Sequence, residues 1–75
     1  MLRQALAEAL KAVRVERRLT QEAVAHEAQV SVAYISYLEN ARKSPTVDSL
    51  VLVCGALKIP VSDLLRRAER LDEKK

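Results

Sequence analysis

Apolar residues recur at Leu2, Ala5, Leu6, Ala9, Leu10 and Val13, a three-and-four spacing that predicts one amphipathic helix over about residues 2–17. A shorter apolar set follows at Val24, Ala25 and Ala28. Thr20 stands ahead of it, where its hydroxyl can accept from the free amides of a second helix over about residues 20–28. Ser31 repeats the arrangement before Tyr34, Ile35 and Leu38, predicting a third helix over about residues 31–39 after a connection of only Gln29 and Val30. Thr46 repeats it once more, and Val47, Leu50, Val53, Cys54 and Leu57 are the expected inner face of a fourth helix over about residues 46–57. Pro60 breaks the chain before a fifth, over about residues 61–72, with Val61, Leu64, Leu65, Ala68 and Leu71 on its apolar face. The stretch from Asn40 to Pro45 has no apolar period and reads as an exposed basic loop. The charged end, Asp72 to Lys75, is expected to fray. The pattern predicts an all-α fold, a compact five-helix bundle forming one domain over residues 1–75.

Composition sharpens this picture. The chain has one glycine and two prolines, which suits stacked helices, and no Trp or Phe, so its core must come from Leu, Val, Ile and Ala. A domain of this size withdraws only about 60% of its unfolded surface from water, so its stability margin is small. No apolar run approaches the roughly 18 residues of a membrane span, and Glu8 and Lys11 interrupt any signal-peptide core; a soluble, cytoplasmic protein is expected. Cys54 stands alone, with no Cys or His at ligand spacing, and reads as a buried small hydrophobe rather than half of a disulfide or a metal ligand. His26 reads as a surface residue. Without a Ser/His/Asp or Cys/His set, a phosphate-binding glycine loop or a carboxylate pair, the sequence offers no catalytic constellation and no cofactor site. The net charge of +3 favours an anionic partner only where the cations share a face.

The informative stretch is LTQEAVAHEAQVSVAYISYLEN over residues 19–40, followed by the basic loop and PTVDSLVLVCGALKIPVSDLL over residues 45–65. It resembles the Cro-like, phage-repressor type of helix-turn-helix family, a lambda-repressor-like DNA-binding domain, over roughly residues 9–65, and is similar to restriction-modification controller proteins. The matching elements are LTQ opening the first motif helix, Ala25 at the helix crossing, Val30 and Ser31 in the turn, Ile35, Leu38 and Glu39, and the later Leu50, Leu57, Leu64 and Leu65. The resemblance implies a sequence-specific regulator that binds double-stranded DNA as a homodimer on a two-fold operator. A protein-interaction adaptor or antitoxin module on the same fold is the alternative, since fold does not dictate function.

Matched residue by residue, the resemblance implies a phosphate contact at Gln21 and a structural ion pair between Arg14 and Glu39. It places Ser31, Val32, Ala33, Ser36, Tyr37 and Asn40 on the exposed side or ends of the recognition helix. Val32 and Ala33 can touch thymine methyl groups but cannot make bidentate contacts to guanine or adenine, so direct readout should be sparse. Tyr37 is the strongest single candidate for a base or phosphate contact. Tyr34 fits either core packing or DNA, with packing favoured. Arg17, Arg18, Arg42 and Lys43 flank the motif and are expected on phosphates. On the fourth and fifth helices, Val51, Leu52, Gly55, Ala56, Val61 and Leu65 lie where the monomer core does not need them, a candidate dimer interface. Two positions depart from the family pattern, Gln29 and Ala41, where glycine is usual. A positive φ at either would cost on the order of 1 kcal/mol.

Overall fold

A computed structural model of the protein describes residues 2–74. Five helices follow one another: α1 (Leu2–Glu16), α2 (Gln21–Ala28), α3 (Val32–Glu39), α4 (Val47–Leu57) and α5 (Val61–Glu73). The hydroxyls expected to start three of them do so. Thr20 accepts from the Ala23 amide at 3.0 Å, Ser31 from Tyr34 at 3.0 Å and Thr46 from Ser49 at 3.1 Å. Pro60 precedes α5 without a side-chain cap.

The first four helices stop in the same way. After α2, Val30 N–H reaches back to the Ala25 carbonyl at 3.0 Å and Gln29 N–H to His26 at 3.2 Å, the paired bonds of a Schellman motif. Leu19 and Arg18 close α1 on Arg14 and Val15, Arg42 and Ala41 close α3 on Tyr37 and Leu38, and Ile59 and Lys58 close α4 on Cys54 and Gly55. The motif needs one left-handed residue, and here these are Arg18, Gln29, Ala41 and Lys58, with φ between 57° and 61°. None is glycine, so each stop carries backbone strain that glycine would relieve. The next residue offsets it in three cases, because Leu19, Val30 and Ile59 all pack partly buried against the core.

The α1 helix packs against α3 and α5. Ala5, Ala9, Leu10 and Val13 are buried along it, and Leu64 and Ala68 of α5 are buried where that helix lies against it. The α2 helix packs on α3 and α4, and its buried Ala25 and Ala28 carry side chains small enough for close approach. Arg67 of α5 clasps Glu16 at the end of α1 with both guanidinium nitrogens, one bond being 3.0 Å long, and holds the Glu16 carboxyl below its ordinary range. This clasp is complete above the ordinary carboxylate range and is lost as pH falls through the lowered value.

Several inner-face expectations need correction. Leu2 is exposed because it is the first residue of α1, and Val47, first in α4, is 78% exposed; both stand at helix ends that the neighbouring elements do not cover. Ala56, expected on the outer strip, is buried: α2 packs across that flank of α4, and the cleft reaching Ala56 is lined by Leu19 and Ala23. Val61 is half-buried against the core. Arg17 lies beyond the end of α1, in the turn. Residues expected to fray remain helical through Glu73, with Lys74 in a turn, while Lys75 lies outside the described residues.

Candidate nucleic-acid interface

The surface of interest is built on α3, a helix of eight residues. Its inner face is fixed by Ile35 and Leu38, both buried. Tyr34 is half-buried with its hydroxyl 2.7 Å from Ser49 Oγ, and that serine in turn donates to the Thr46 carbonyl at 3.1 Å. The serine proton being so used, the Tyr34 hydroxyl is the donor and ties α3 to α4. Of the two readings of Tyr34, core packing is the one the structure supports.

The end of α3 is held by charge. Arg14 donates to Glu39 through Nε at 2.7 Å and Nη2 at 3.2 Å, and its Nη1 bonds the Leu19 carbonyl at 2.8 Å. Gln21 adds a bond from Nε2 to Glu39 Oε1 at 3.0 Å. The Arg14 and Glu39 side chains are only 14% and 5% exposed, so their mutual neutralisation and these extra bonds are what make their burial tolerable. Four groups from three helices and a turn thereby set the angle of α3 against α1 and α2. The Gln21 amide has a second proton beyond the one that serves this joint.

The outer side of α3 faces away from all of this. Ser31, Val32, Ala33, Tyr37 and Asn40 are exposed and Ser36 is half-buried. Asn40 Nδ2 donates to the Ser36 carbonyl at 2.8 Å and to Ser36 Oγ at 3.3 Å, fixing the amide plane beside Tyr37. Lys43 Nζ sits 5.4 Å from the centre of the Tyr37 ring, a cation over an aromatic face. Ser36, Tyr37, Asn40 and Arg42 line an open cleft of about 540 Å³. Hydroxyl, amide and guanidinium groups thus converge on one surface.

The four flanking cations do not stay together. Arg42 and Lys43 lie in the exposed loop beside Tyr37, but Arg17 donates to the Lys58 carbonyl at 3.3 Å, at the α4 to α5 turn. Arg18 is an exposed left-handed residue in the turn after α1. The position of Arg3 was not evident from the sequence: its Nε bonds Ser44 Oγ at 3.0 Å and so brings a further cation from the start of α1 to the basic loop. With the partners 41 positions apart in the sequence, no local signal could have linked them.

A second exposed surface lies on α4 and α5. Val51 and Leu52 are 53% and 49% exposed, Leu65 is 36% exposed, and Gly55 is exposed between turns of α4. A Cβ built on Gly55 meets nothing within 4 Å, so no contact among the described residues requires glycine there. Cys54, also on α4, is buried in the core, and burial pushes its thiol pKa up. Among the described residues no cluster of His, Cys, Asp or Glu could hold a metal ion, and no helix is long and apolar enough to cross a membrane.

A short capped helix braced against a second across a tight turn, with a polar outer face, defines a helix-turn-helix. The chain belongs to the family described as Helix-turn-helix, which matches it over residues 10–64. It is 41% identical over 56 residues to the immunity repressor protein of Bacillus phage phi105, covering 75% of this chain and 39% of that protein. It is 32% identical over 65 residues to the transcriptional regulator ClgR of Mycobacterium tuberculosis, covering 87% of this chain and 58% of that one. The chain therefore spans less than two thirds of the length of either relative. Among solved structures, the clp gene regulator ClgR from Corynebacterium glutamicum superposes with a TM-score of 0.87 at 38% identity, covering 92% of this chain and 90% of that one. The restriction-modification controller protein C.Esp1396I superposes with a TM-score of 0.91 at 24% identity, covering 100% and 97%; at that identity the likeness is one of fold.

Proposed function

We propose that this chain is the DNA-binding part of a transcriptional regulator, which reads duplex DNA with the outer face of α3 and binds a two-fold operator as a homodimer. The observation that carries this reading is the outer surface of α3 and its loop, where Ser36, Tyr37, Asn40, Arg42 and Lys43 meet while the inner face is locked to the core. A helix inserted into the major groove needs such a division, with an unyielding back and donors toward the base edges. Arg42, Lys43 and Arg3 supply cations beside it for phosphates, which position the protein without reading sequence.

The homodimer rests on Val51, Leu52, Gly55 and Leu65, an apolar strip that water solvates poorly. Two copies joined there would present their α3 helices to successive major grooves roughly 34 Å apart and double a sparse readout. Selection of bound sequences from random duplex DNA tests both parts at once. Enrichment of a paired, two-fold motif is the expected result. The absence of any duplex binding at low salt would transfer the fold to the adaptor reading.

A further inference from the structure

The charges on α5 are unevenly placed. Arg66 and Arg70 stand one turn apart with Arg67 beside them, and Arg17 reaches in from the turn after α1. These four line one cleft of about 310 Å³, completed by Ile59, Pro60 and Asp63. The cleft shares no residue with the polar cleft on α3.

Little inside the chain neutralises it. Arg67 is taken up by Glu16, which also fixes the arginine in place. Arg17 bonds the Lys58 carbonyl at 3.3 Å, which positions the guanidinium without cancelling its charge. Arg66 approaches Asp63 only at 3.4 Å, between two largely exposed side chains, a pairing worth little in water. Arg70 has no partner among the described residues.

We propose that this cleft binds a small anion made of linked phosphate groups. Guanidinium forks match phosphate oxygens in pairs, and here they come from two separate segments that the fold has already positioned. Arg66 and Arg70 are separated by about 6 Å of helix, with Arg17 facing them from another segment, a span better filled by joined phosphates than by one. Ile59 and Pro60 add an apolar wall to the cleft. The phosphates could come from a free oligophosphate or from a nucleoside triphosphate, and the chemistry recognised is the same.

The test is titration of the full chain, isotopically labelled, with sodium tripolyphosphate and separately with adenosine triphosphate at constant ionic strength, following the arginine Nε–H resonances. Saturable shifts are expected at Arg17, Arg66 and Arg70, with Arg42 unmoved. The variant Arg66→Gln with Arg70→Gln should weaken binding by about tenfold or more, with an unchanged melting temperature and unchanged affinity for duplex DNA. Equal binding of the two probes would place recognition in the phosphates alone, and tighter binding of the nucleotide would add the apolar wall; both support the site. The proposal is overturned by non-saturating shifts, by equal shifts at Arg42, or by sulfate competing as well as tripolyphosphate. It is equally overturned if the double variant binds the probes normally or loses affinity for duplex DNA instead. Arg17→Gln, made in the turn and outside α5, provides an independent variant with the same expected loss.

Discussion

Two surfaces of this molecule are exposed for opposite reasons. On α3 and its loop the outward groups are hydroxyls, an amide, a phenol and cations, and the helix beneath is fixed by Ile35, Leu38, the Tyr34 to Ser49 bond and the Arg14 to Glu39 pair. On α4 the outward groups are Val51 and Leu52, each about half exposed and with no polar side-chain atoms to satisfy. The first surface suits water as well as it suits a polyanion, so its occupant must win by charge and by matched hydrogen bonds. The second gains from any apolar cover. The difference shows how one small fold can carry a polar surface and an apolar one on separate helices, each governed by its own physics.

The most severe way to break the comparison is to loosen the back of α3. Ile35→Ala removes a buried side chain and should cost roughly 2–5 kcal/mol, a large share of what a domain this size has, so thermal denaturation should show a much lower midpoint. DNA binding and assembly should then fail together. Retention of near-native stability would show that α3 is less firmly anchored than its burial implies.

Leu52→Glu should separate the two surfaces. It places a charge on the exposed strip of α4, so the expected product is a folded monomer by sedimentation with much weaker binding to a paired site and little change on a half-site. A variant that still sediments as a dimer would displace the interface from α4. An unmodified protein that stays monomeric well above the concentrations needed for DNA binding would remove it altogether.

Smaller effects should divide the recognition surface itself. Arg42→Ala with Lys43→Ala should weaken all duplexes alike and reduce the slope of log affinity against log salt by about one for each cation that no longer meets a phosphate. Tyr37→Phe should leave that slope intact and reduce discrimination between operator and random DNA, with stability changed by no more than about 0.5 kcal/mol. An unchanged specificity ratio would remove the Tyr37 hydroxyl from the readers. The mildest change is Gln29→Gly, which relieves a φ of 61° and should raise stability by up to about 1 kcal/mol, read as a small rise in melting temperature.

Much of the fold was legible because its signals are local. Each of Thr20, Ser31 and Thr46 stands immediately ahead of an apolar set, and a hydroxyl at that place needs no distant partner to cap a helix. The chain stops were less legible, since Arg18, Gln29, Ala41 and Lys58 adopt a conformation that their residue types do not advertise. In each case the bonds of the Schellman motif hold the turn, and after α1, α2 and α4 a following apolar residue on the core reinforces it. On the candidate site, periodicity and family pattern separated the inner from the outer residues of α3. They did not show that Gln21 braces Glu39, or that Lys43 lies over Tyr37.

By itself the sequence determined five helices, the hydroxyl caps of α2, α3 and α4 and the inward residues of α3, because helical period and hydroxyl capping act over three or four neighbouring positions; the family came from the resemblance of its motifs. Only the tertiary structure decided which flank of α4 is free. Ala56 and Leu52 both lie off the line of Leu50, Val53 and Leu57, yet α2 covers the first and leaves the second in water. The grouping of the cations was likewise a tertiary outcome: Arg3 joined the loop after α3, and Arg17 joined α5. Burial and charge clustering depend on which helix arrives from elsewhere in the chain, and no window of neighbouring residues contains that information.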